Sequence, residues 1–346
     1  MTADRKCEMN ILITGAAGFI GSALCIQLST DNKIVGVDIT KRPDKSADIA
    51  WEQADMTNED SAVAICEKYC PDVVIHCAGI AHQKIGAVDS AAYMRVNSEA
   101  TEKLARAAGE CNSDVCFIFL SSVSVYGEGN KGNGRTETGE CRPSSDYAVS
   151  KLDAEKRLCA LCDDGKLHHL VILRLAPVYD REWSLNLDRR VFAPGKLAYL
   201  RFGSGLQRMS ALARPNLVEL IDFLSRRLMQ INADGNNIKN NRTRQNNLCN
   251  QRNLLINVCD AESYEFNRII RVFKKSGIHP NRPVISVPLS AVWLATRVAG
   301  FFFSGKREWI HSCYDKLASD LVFDNGRMLE TGFRAGCSLE TIFDPK

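Results

Sequence analysis

Three residues of this chain have the types and the spacing that hydride and proton transfer require. Of the eight tyrosines, only Tyr147 has a lysine, Lys151, four residues further on. A helix is predicted from about residue 146, and this spacing places both side chains on one helix face. A phenol has an ordinary pKa of about 10, which a nearby ammonium and the positive ring of an oxidised nicotinamide would lower. Ser122, at the end of a predicted buried strand, can hydrogen-bond the oxygen that changes oxidation state.

A glycine-rich turn near the start of the chain is predicted to bind the cofactor phosphates. The apolar run Ile11–Ile13 leads into Gly15, Gly18 and Gly21, and a helical pattern follows. The first glycine allows a tight turn, the second lets the backbone approach a pyrophosphate, and the third leaves room where helix meets sheet. The helix N-terminus adds free N–H groups and the positive end of the helix dipole. This pattern predicts a dinucleotide-binding turn.

An acidic residue follows the glycine turn at the place where the adenosine ribose would lie. Asp38 ends the next predicted strand, and a carboxylate there accepts hydrogen bonds from the ribose hydroxyls and repels a 2′-phosphate. Lys41 and Arg42 follow closely and could bind that phosphate instead. Of these two possibilities we favour the first, so Asp38 predicts binding of NAD rather than NADP.

The order of apolar segments predicts the fold class. Strand-like runs alternate with helical patterns up to about residue 180, as in Val73–Ile75, the helix over about 90–109 and the buried run Val115–Leu120. Such alternation is typical of an α/β protein with a Rossmann-type, doubly wound parallel sheet. We therefore expect an NAD-binding domain over 1–180 and a smaller, mainly substrate-binding domain over 181–346. Segments at about 206–230 and 254–260 are expected to return to the Rossmann core.

Composition narrows the class of protein further. A chain of 346 residues with a net charge of +3 and 45% hydrophobic residues is typical of an ordinary soluble globular protein and gives no sign of a nucleic-acid surface. The first residues, Met1–Lys6, lack the apolar core of a signal peptide, so we expect a cytoplasmic protein with reduced cysteines. Cys159 and Cys162, with His168 and His169 nearby, have no second cysteine pair, so we expect no metal.

Two segments of the second half are distinctive. The Asn-rich tract over about 233–253 has no periodicity and is predicted to be a mobile surface loop. The apolar segment Leu289–Phe303 contains Arg297 and is shorter than the roughly 20 residues that a membrane-spanning helix needs. We expect no transmembrane segment and favour a buried or dimer-face helix there, with peripheral membrane contact as the alternative.

Taken together, these features resemble the extended short-chain dehydrogenase/reductase family, in its NAD-dependent nucleotide-sugar epimerase/dehydratase branch. The motifs cover nearly the whole chain in the family's order: Thr14–Gly21, Asp38, Ala54–Met56, His76–Gly79, Val96-Asn97, Ser121–Gly127, Tyr147–Lys151, Leu173–Tyr179 and Asp324–Leu329 with Gly332-Phe333. The resemblance implies a smaller C-terminal domain that binds a nucleoside-diphosphate sugar, and usually a dimer.

The resemblance also implies roles for individual residues. Tyr147 would be the acid/base, Lys151 would lower its pKa and hold the nicotinamide ribose, and Ser122 would be the second hydrogen-bond partner. The implied cofactor contacts are Gly15, Gly18, Phe19, Ile20, Gly21, Asp38, Asp55, Met56, Ala78, Gly79, Asn97, Tyr147 and Lys151. The implied substrate contacts are Ser122, Ser124 and Arg208.

The sequence departs from the family pattern at two places. In the 4,6-dehydratases the catalytic serine or threonine is followed by Asp-Glu, whereas this chain has Val123 and Ser124 there. This difference disfavours elimination of water. In many members an asparagine after the Leu-Arg strand touches the substrate phosphates, but Pro177 takes that place, so Arg208 is considered for the diphosphate.

Three functions remain open on the sequence. The first is an NAD-dependent epimerase that inverts C4 of a nucleotide sugar, such as a UDP-hexose or UDP-N-acetylhexosamine, through a 4-keto intermediate, in surface polysaccharide or sugar-nucleotide biosynthesis. The second is a reductase or dehydrogenase of the same fold that releases its cofactor. The third is a non-catalytic dinucleotide sensor, which would have no use for Ser122, Tyr147 and Lys151.

Overall fold

A computed structural model describes most of the chain. The described residues are 8–43, 48–81, 88–127, 134–235, 253–302, 310, 314–315 and 317–344, with only the backbone described over 231–235. The predicted Asn-rich loop over about 233–253 therefore lies outside the described residues except at its two ends. The first residues, on which the expectation of a cytoplasmic protein rests, also lie outside them.

The chain divides into two compact units. The first comprises Met1–Val125, Pro143–Arg174 and Val218–Ile256, and the second comprises Tyr126–Arg142, Leu175–Leu217 and Asn257–Lys346. The roles predicted for the two domains, cofactor binding and substrate binding, stay predictions.

The largest sheet in the described part of the chain has seven parallel strands, as the alternating pattern predicts. Its strands are β1 (Asn10–Thr14), β2 (Lys33–Asp38), β3 (Ala50–Gln53), β4 (Val73–His76), β5 (Cys116–Ser122), β6 (His169–Leu175) and β11 (Asn253–Val258). Their spatial order is β3-β2-β1-β4-β5-β6-β11. Strand β1 pairs with β2 on one side and β4 on the other, so the strand order reverses there. Ligands of such sheets bind at the carboxyl ends of the strands beside this reversal.

Helices cover the sheet and position the predicted site. They are α1 (Gly21–Leu28), α2 (Glu59–Tyr69), α3 (Ser90–Met94), α4 (Ala100–Cys111), α5 (Asp146–Asp163) and α7 (Arg214–Gly235). Three of them begin at side chains that accept a backbone hydrogen bond from the first turn, namely Asn58, Asp89 and Ser145. The helix predicted over about 90–109 is interrupted by a π-helical segment, Arg95–Glu99, which apolar spacing does not reveal.

The core of the first unit explains why its central strands are apolar throughout. The first six residues of β5 are buried, as expected for a parallel strand that is covered by helices on both faces. Leu12, Val74 and Phe117 of the sheet pack in one cluster with Leu104 of α4 and Leu158 of α5, and these five side chains are fully buried. This packing fixes α5, and therefore Tyr147 and Lys151, against the sheet.

The second unit is built from shorter elements. These are β7 (Val178–Tyr179), α6 (Leu185–Val191), β8 (Tyr199–Phe202), β9 (Arg208–Met209), β10 (Leu212–Ala213), β12 (Tyr264–Glu265), α8 (Phe266–Lys275), β13 (Val284–Val287), α9 (Leu289–Phe302), α10 (Gly326–Glu330) and α11 (Leu339–Phe343). Asp260, only 1% exposed, accepts hydrogen bonds from Tyr179, Tyr264, Asn216 and the backbone of Ala213. Burial raises the pKa of Asp260, and these hydrogen bonds oppose the rise.

One expectation for this unit is corrected. The apolar segment that begins at Leu289 is a helix, as predicted, but it is not a buried one. Gly300 is the one buried residue within the described helix α9. In the described part of the chain, no helix is long and apolar enough to cross a membrane.

Candidate active site

The glycine turn after β1 has a geometry that only glycine permits. Gly15 has a φ of +66°, and a Cβ there would lie 2.7 Å from the backbone nitrogen of Ala78. A Cβ at Gly21 would lie 2.2 Å from the carbonyl oxygen of Gly15. The backbone nitrogen of Gly18 donates to that same carbonyl at 2.9 Å, which closes the turn. The turn therefore needs glycine at positions 15 and 21 for backbone packing alone.

The outer side of the turn is open, and it fits a dinucleotide. Gly18 is exposed, and a Cβ there would have only the oxygen of Gly15, at 3.1 Å, within 4 Å. Helix α1 begins at Gly21, and its N-cap residue Ile20 makes no side-chain cap. The amide of Ser22 in the first turn donates to the carbonyl of Gly18 at 3.0 Å, and the N-terminus of α1 adds the positive end of the helix dipole, which favours an anion as in other pyrophosphate sites. The predicted neighbour Phe19 is half-buried in the same turn.

Asp38 ends β2 beside the glycine turn, and its carboxylate already orders that turn. One oxygen accepts from the backbone nitrogen of Ala17 at 3.0 Å. The other accepts from the backbone nitrogen and the hydroxyl of Thr40 at 3.0 and 2.9 Å. A carboxylate has about four lone-pair sites, so ribose hydroxyls can still bind. Arg42, which the sequence offered as a 2′-phosphate ligand, lies 3.4 Å from Asp48 in an ion pair.

The next two predicted cofactor residues hold the loop after β3. Asp55 accepts a hydrogen bond from the backbone nitrogen of Thr57 at 2.9 Å, which forms a local turn. Met56 is 6% exposed and packs in the core cluster. The structure therefore places both at the carboxyl edge of the sheet with structural contacts of their own, and their cofactor contacts stay predictions.

A buried histidine that the sequence did not single out lies beneath the glycine turn. His76, 1% exposed, ends β4 and lies between two threonine hydroxyls, that of Thr14 at 2.6 Å and that of Thr101 at 2.9 Å. Burial lowers the pKa of His76 to about 3, so its ring is neutral at physiological pH. The hydroxyl of Thr14 also accepts from the backbone nitrogen of Ala78 at 3.3 Å. The network fixes β1 and β4 where the two strands end.

The loop after β4 connects the cofactor side of the site to the catalytic helix. Asn97, fully buried in the π-helical segment, bonds both backbone groups of Ile80, at 2.7 and 3.0 Å, and donates to the hydroxyl of Ser150 in α5 at 3.1 Å. A Cβ at Gly79 would lie 2.9 Å from the Asn97 amide oxygen and 3.6 Å from the Lys151 ammonium. Asn97 thus positions this loop, and Gly79 leaves room for the Asn97 amide oxygen.

Lys151 is a buried cation next to the sheet. It is 5% exposed, donates to the carbonyl of Leu120 at 2.9 Å, and lies 4.6 Å from the centre of the Phe119 ring. Burial lowers the pKa of Lys151 from 10.5 to about 8, while Cys77 and Glu155 raise it. A lysine in this position keeps much of its charge at neutral pH and can hold a ribose hydroxyl.

Tyr147 and Ser122 are joined by a hydrogen bond, but in the protein alone the pKa of Tyr147 is raised and not lowered. Burial raises the pKa of the Tyr147 phenol, and a hydrogen bond with Ser122 opposes the rise. From the spacing we predicted that Lys151 would lower the pKa of Tyr147. In the protein alone, desolvation of the phenol outweighs any such effect. The predicted lowering of this pKa would therefore have to come from charge that arrives with the bound cofactor.

The segment after β5 carries a second serine where the dehydratases have an acid. The hydroxyl of Ser124 donates to the oxygen of Ser122 at 2.9 Å, and its backbone nitrogen lies 3.2 Å from the same oxygen. Val123 is 7% exposed and packs into the core. These positions offer one hydroxyl and no carboxyl group.

A buried ion pair joins helix α5 to strand β6. Arg174 of β6 and Glu155 of α5 are each 5% exposed in their side chains, and an Arg174 Nη atom lies 2.6 Å from a Glu155 oxygen. The Arg174 Nε also lies 3.1 and 3.2 Å from the two carboxylate oxygens, and the Ser121 hydroxyl donates to one of them. Because Ser121 precedes Ser122 and Glu155 follows Lys151 by one turn, this pair links the two elements that carry the predicted catalytic side chains.

Arg208 belongs to the second unit and is exposed on β9. Its Nε lies 3.7 Å from Asp320, and its backbone nitrogen donates to the same carboxylate at 2.9 Å. Its contact with substrate stays a prediction. Among the residues that the structure describes, no group of His, Cys, Asp and Glu side chains could hold a metal ion, and Cys159 and Cys162 are free thiols on α5.

Comparisons with known proteins identify the family of this chain. The family model described as the NAD dependent epimerase/dehydratase family matches residues 11–227. UDP-glucose 4-epimerase of Vibrio cholerae is 33% identical over 225 residues, which are 64% of this chain and 67% of that relative. The dTDP-glucose 4,6-dehydratase of Neisseria meningitidis serogroup B is 30% identical over 166 residues, 42% of this chain and 46% of that relative.

The chain therefore belongs to the NAD-dependent epimerase/dehydratase family, as its motifs predicted. The crystal structure of UDP-glucose 4-epimerase from Brucella ovis in complex with NAD has a TM-score of 0.71 and 19% identity, and the match covers 97% of each chain. This likeness confirms the fold class. The predicted cofactor, NAD, is confirmed as well, and the glycine turn fits it.

Proposed function

We propose that this protein is an NAD-dependent epimerase that inverts C4 of a nucleoside-diphosphate sugar, with a UDP-hexose or UDP-N-acetylhexosamine as the simplest substrate. One observation carries the proposal: the site provides Tyr147, Ser122 and Lys151 for proton and hydride transfer, while Val123 and Ser124 provide no carboxyl group for eliminating water. The relatives include both epimerases and dehydratases, and this local difference supports the proposal of an epimerase.

In this proposal the side chains have separate tasks. NAD, when bound, supplies the acceptor and later the donor of the hydride. Tyr147 removes the proton from the C4 hydroxyl and returns it to the 4-keto intermediate after the sugar has turned its other face. Ser122, already hydrogen-bonded to Tyr147, holds the C4 oxygen. The Lys151 ammonium holds the nicotinamide ribose and favours the phenolate.

We further propose that residues 181–346 mainly bind the substrate, that Arg208 contacts its diphosphate, and that the enzyme acts as a cytoplasmic homodimer. Such a substrate belongs to surface polysaccharide or sugar-nucleotide biosynthesis, which is the pathway class we propose. Light scattering after gel filtration measures the oligomeric state, and a monomer at assay concentration would contradict the dimer.

The test of the activity is incubation of the purified protein with single UDP-sugars, without added cofactor. The expected result is the C4 epimer of one substrate, seen by chromatography, with no net change in NADH absorbance. Stoichiometric consumption or formation of NADH would instead identify a reductase or dehydrogenase. Binding of NAD without turnover of any nucleotide sugar would favour a sensor.

A further inference from the structure

Helix α9 of the second unit presents an apolar surface to solvent. Leu294, Val298 and Phe301 follow one another at helical spacing and are 58%, 49% and 82% exposed. Trp293 and Phe302 extend the same surface and are 46% and 72% exposed. A surface helix of a globular protein normally buries its apolar face and exposes a polar one. Here the outward face is apolar, which is typical of a helix that docks on something.

The chain that leads into α9 carries charges of one sign. From Phe266 to Phe302 it has six basic residues and no aspartate or glutamate, the six being Arg268, Arg271, Lys274, Lys275, Arg282 and Arg297. Arg268 is held in ion pairs with Glu262 and Glu340. Arg282, just before β13, and Arg297, within α9, form the positive border of the segment that includes the helix. The guanidinium of Arg297, the one charge within α9, lies 5.3 Å from the centre of the Trp293 ring.

The strand before α9 adds to this border. Strand β13 pairs in parallel with β8 and continues through Pro288 into the helix. On β8, Arg201 is exposed and donates to the hydroxyl of Ser286 in β13 at 2.6 Å. A further cation therefore lies against the strand that leads into the apolar surface.

We propose that α9 docks the protein on a membrane surface that contains anionic lipids, with the Leu294, Val298 and Phe301 face in the acyl boundary. Fourteen residues make a helix about 21 Å long, shorter than the roughly 30 Å hydrocarbon core, so α9 lies on the bilayer. Aromatic and basic residues are those that a lipid interface accommodates. A second copy of the chain fits less well, because it would bring two positive borders together.

The test is co-sedimentation with vesicles of phosphatidylcholine alone or of equal parts phosphatidylcholine and phosphatidylglycerol. We expect the wild type to sediment with the anionic vesicles and much less with the neutral ones, and to be released by salt. Leu294→Gln combined with Phe301→Gln should weaken binding at least about tenfold. Arg282→Glu with Arg297→Glu should weaken it at least about fivefold per residue on anionic vesicles only.

The matched control is Ile26→Gln. Ile26 lies on α1 of the first unit and is 57% exposed, nearly the same as Leu294, so this change should leave vesicle binding unaltered. Because all these side chains are exposed, the variants should keep the wild-type circular dichroism and melting temperature. Turnover of a nucleotide sugar, measured without vesicles, tests the proposed function separately, because docking does not depend on that activity.

Two outcomes would overturn the proposal. The first is a wild-type protein that stays in the supernatant with both kinds of vesicle. The second is a change from dimer to monomer on Leu294→Gln with Phe301→Gln, measured by light scattering without lipid, together with no vesicle binding; α9 would then be an interface between copies.

Discussion

Replacing Lys151 by methionine should make the NAD-free protein more stable at neutral pH while it removes activity. The pKa of Lys151 falls from 10.5 to about 8 because its ammonium is buried. At about 1.4 kcal/mol for each tenfold change in proton affinity, that burial costs about 3 kcal/mol. Methionine also loses the hydrogen bond to the Leu120 carbonyl, worth about 1 kcal/mol. The expected net gain in the free energy of unfolding near pH 7 is therefore about 2 kcal/mol.

The difference in the free energy of unfolding between Lys151→Met and the wild type should change sign with pH. Below about pH 8 the lysine is charged in both folded and unfolded chains, and the full cost of burial is present. Between about pH 8 and 10.5 the folded protein loses this proton while the unfolded chain keeps it, so wild-type stability rises relative to Lys151→Met. Above that range the buried amine is neutral, and the wild type should be more stable by about the value of its hydrogen bond.

The assay is a set of thermal melts of NAD-free protein from about pH 6 to 10.5. About 2–4 °C per kcal/mol is expected for a unit of roughly 200 residues, so the variant should melt about 4–8 °C higher near pH 7. Lys156→Met is the control, because Lys156 is an exposed lysine of the same helix, and it should show no such trend. A difference between Lys151→Met and wild type that is constant with pH, or a less stable variant at pH 7, would refute the burial argument.

Three further predictions concern the site. Tyr147→Phe should lower turnover at least about 10²-fold with NAD binding nearly intact, since it removes a positioned acid/base; near-normal turnover would assign that role elsewhere. Gly21→Ala should abolish NAD binding, because its Cβ would lie 2.2 Å from a backbone oxygen, whereas Gly336→Ala, with no atom within 4 Å, should bind NAD normally in the same titration. Glu155→Gln should destabilise the protein by about 3–5 kcal/mol in urea unfolding, because it leaves Arg174 buried without its counter-charge; a loss below about 1 kcal/mol would contradict that.

The parts of the fold that the sequence predicted are those with a local signal. The glycine turn, the apolar strands and the helix of Tyr147 each follow from residues that are close in the chain, and the structure confirms their places in a parallel sheet. The π-helical segment around Asn97 was missed because a single wide turn hardly changes apolar periodicity. The sequence left open whether α9 is buried or lies at a dimer face or a membrane, because an apolar helix reads the same whether it is buried or exposed, and the structure contradicts only the buried placement.

The parts of the site that the sequence did not predict depend on pairs of residues far apart in the chain. His76 lies between Thr14 and Thr101, and nothing in the neighbourhood of any of the three indicates the pairing. The pKa of Tyr147 is a similar case, since the spacing to Lys151 suggested a lowering, whereas burial, which spacing does not report, raises it. Residue types identify candidate groups, but desolvation is a property of the folded environment.

Glu155 has both a structural and an electrostatic role in the site. Its carboxylate accepts hydrogen bonds from Arg174 and Ser121, and its charge opposes the lowering of the Lys151 pKa. A buried ion pair is weak evidence for stability on its own, because desolvation of two charges offsets their attraction. Its position favours another explanation: one carboxylate holds the helix of Tyr147 and the strand of Ser122 in register and also helps Lys151 to stay charged. An apolar replacement could preserve the packing, but it would not preserve that charge.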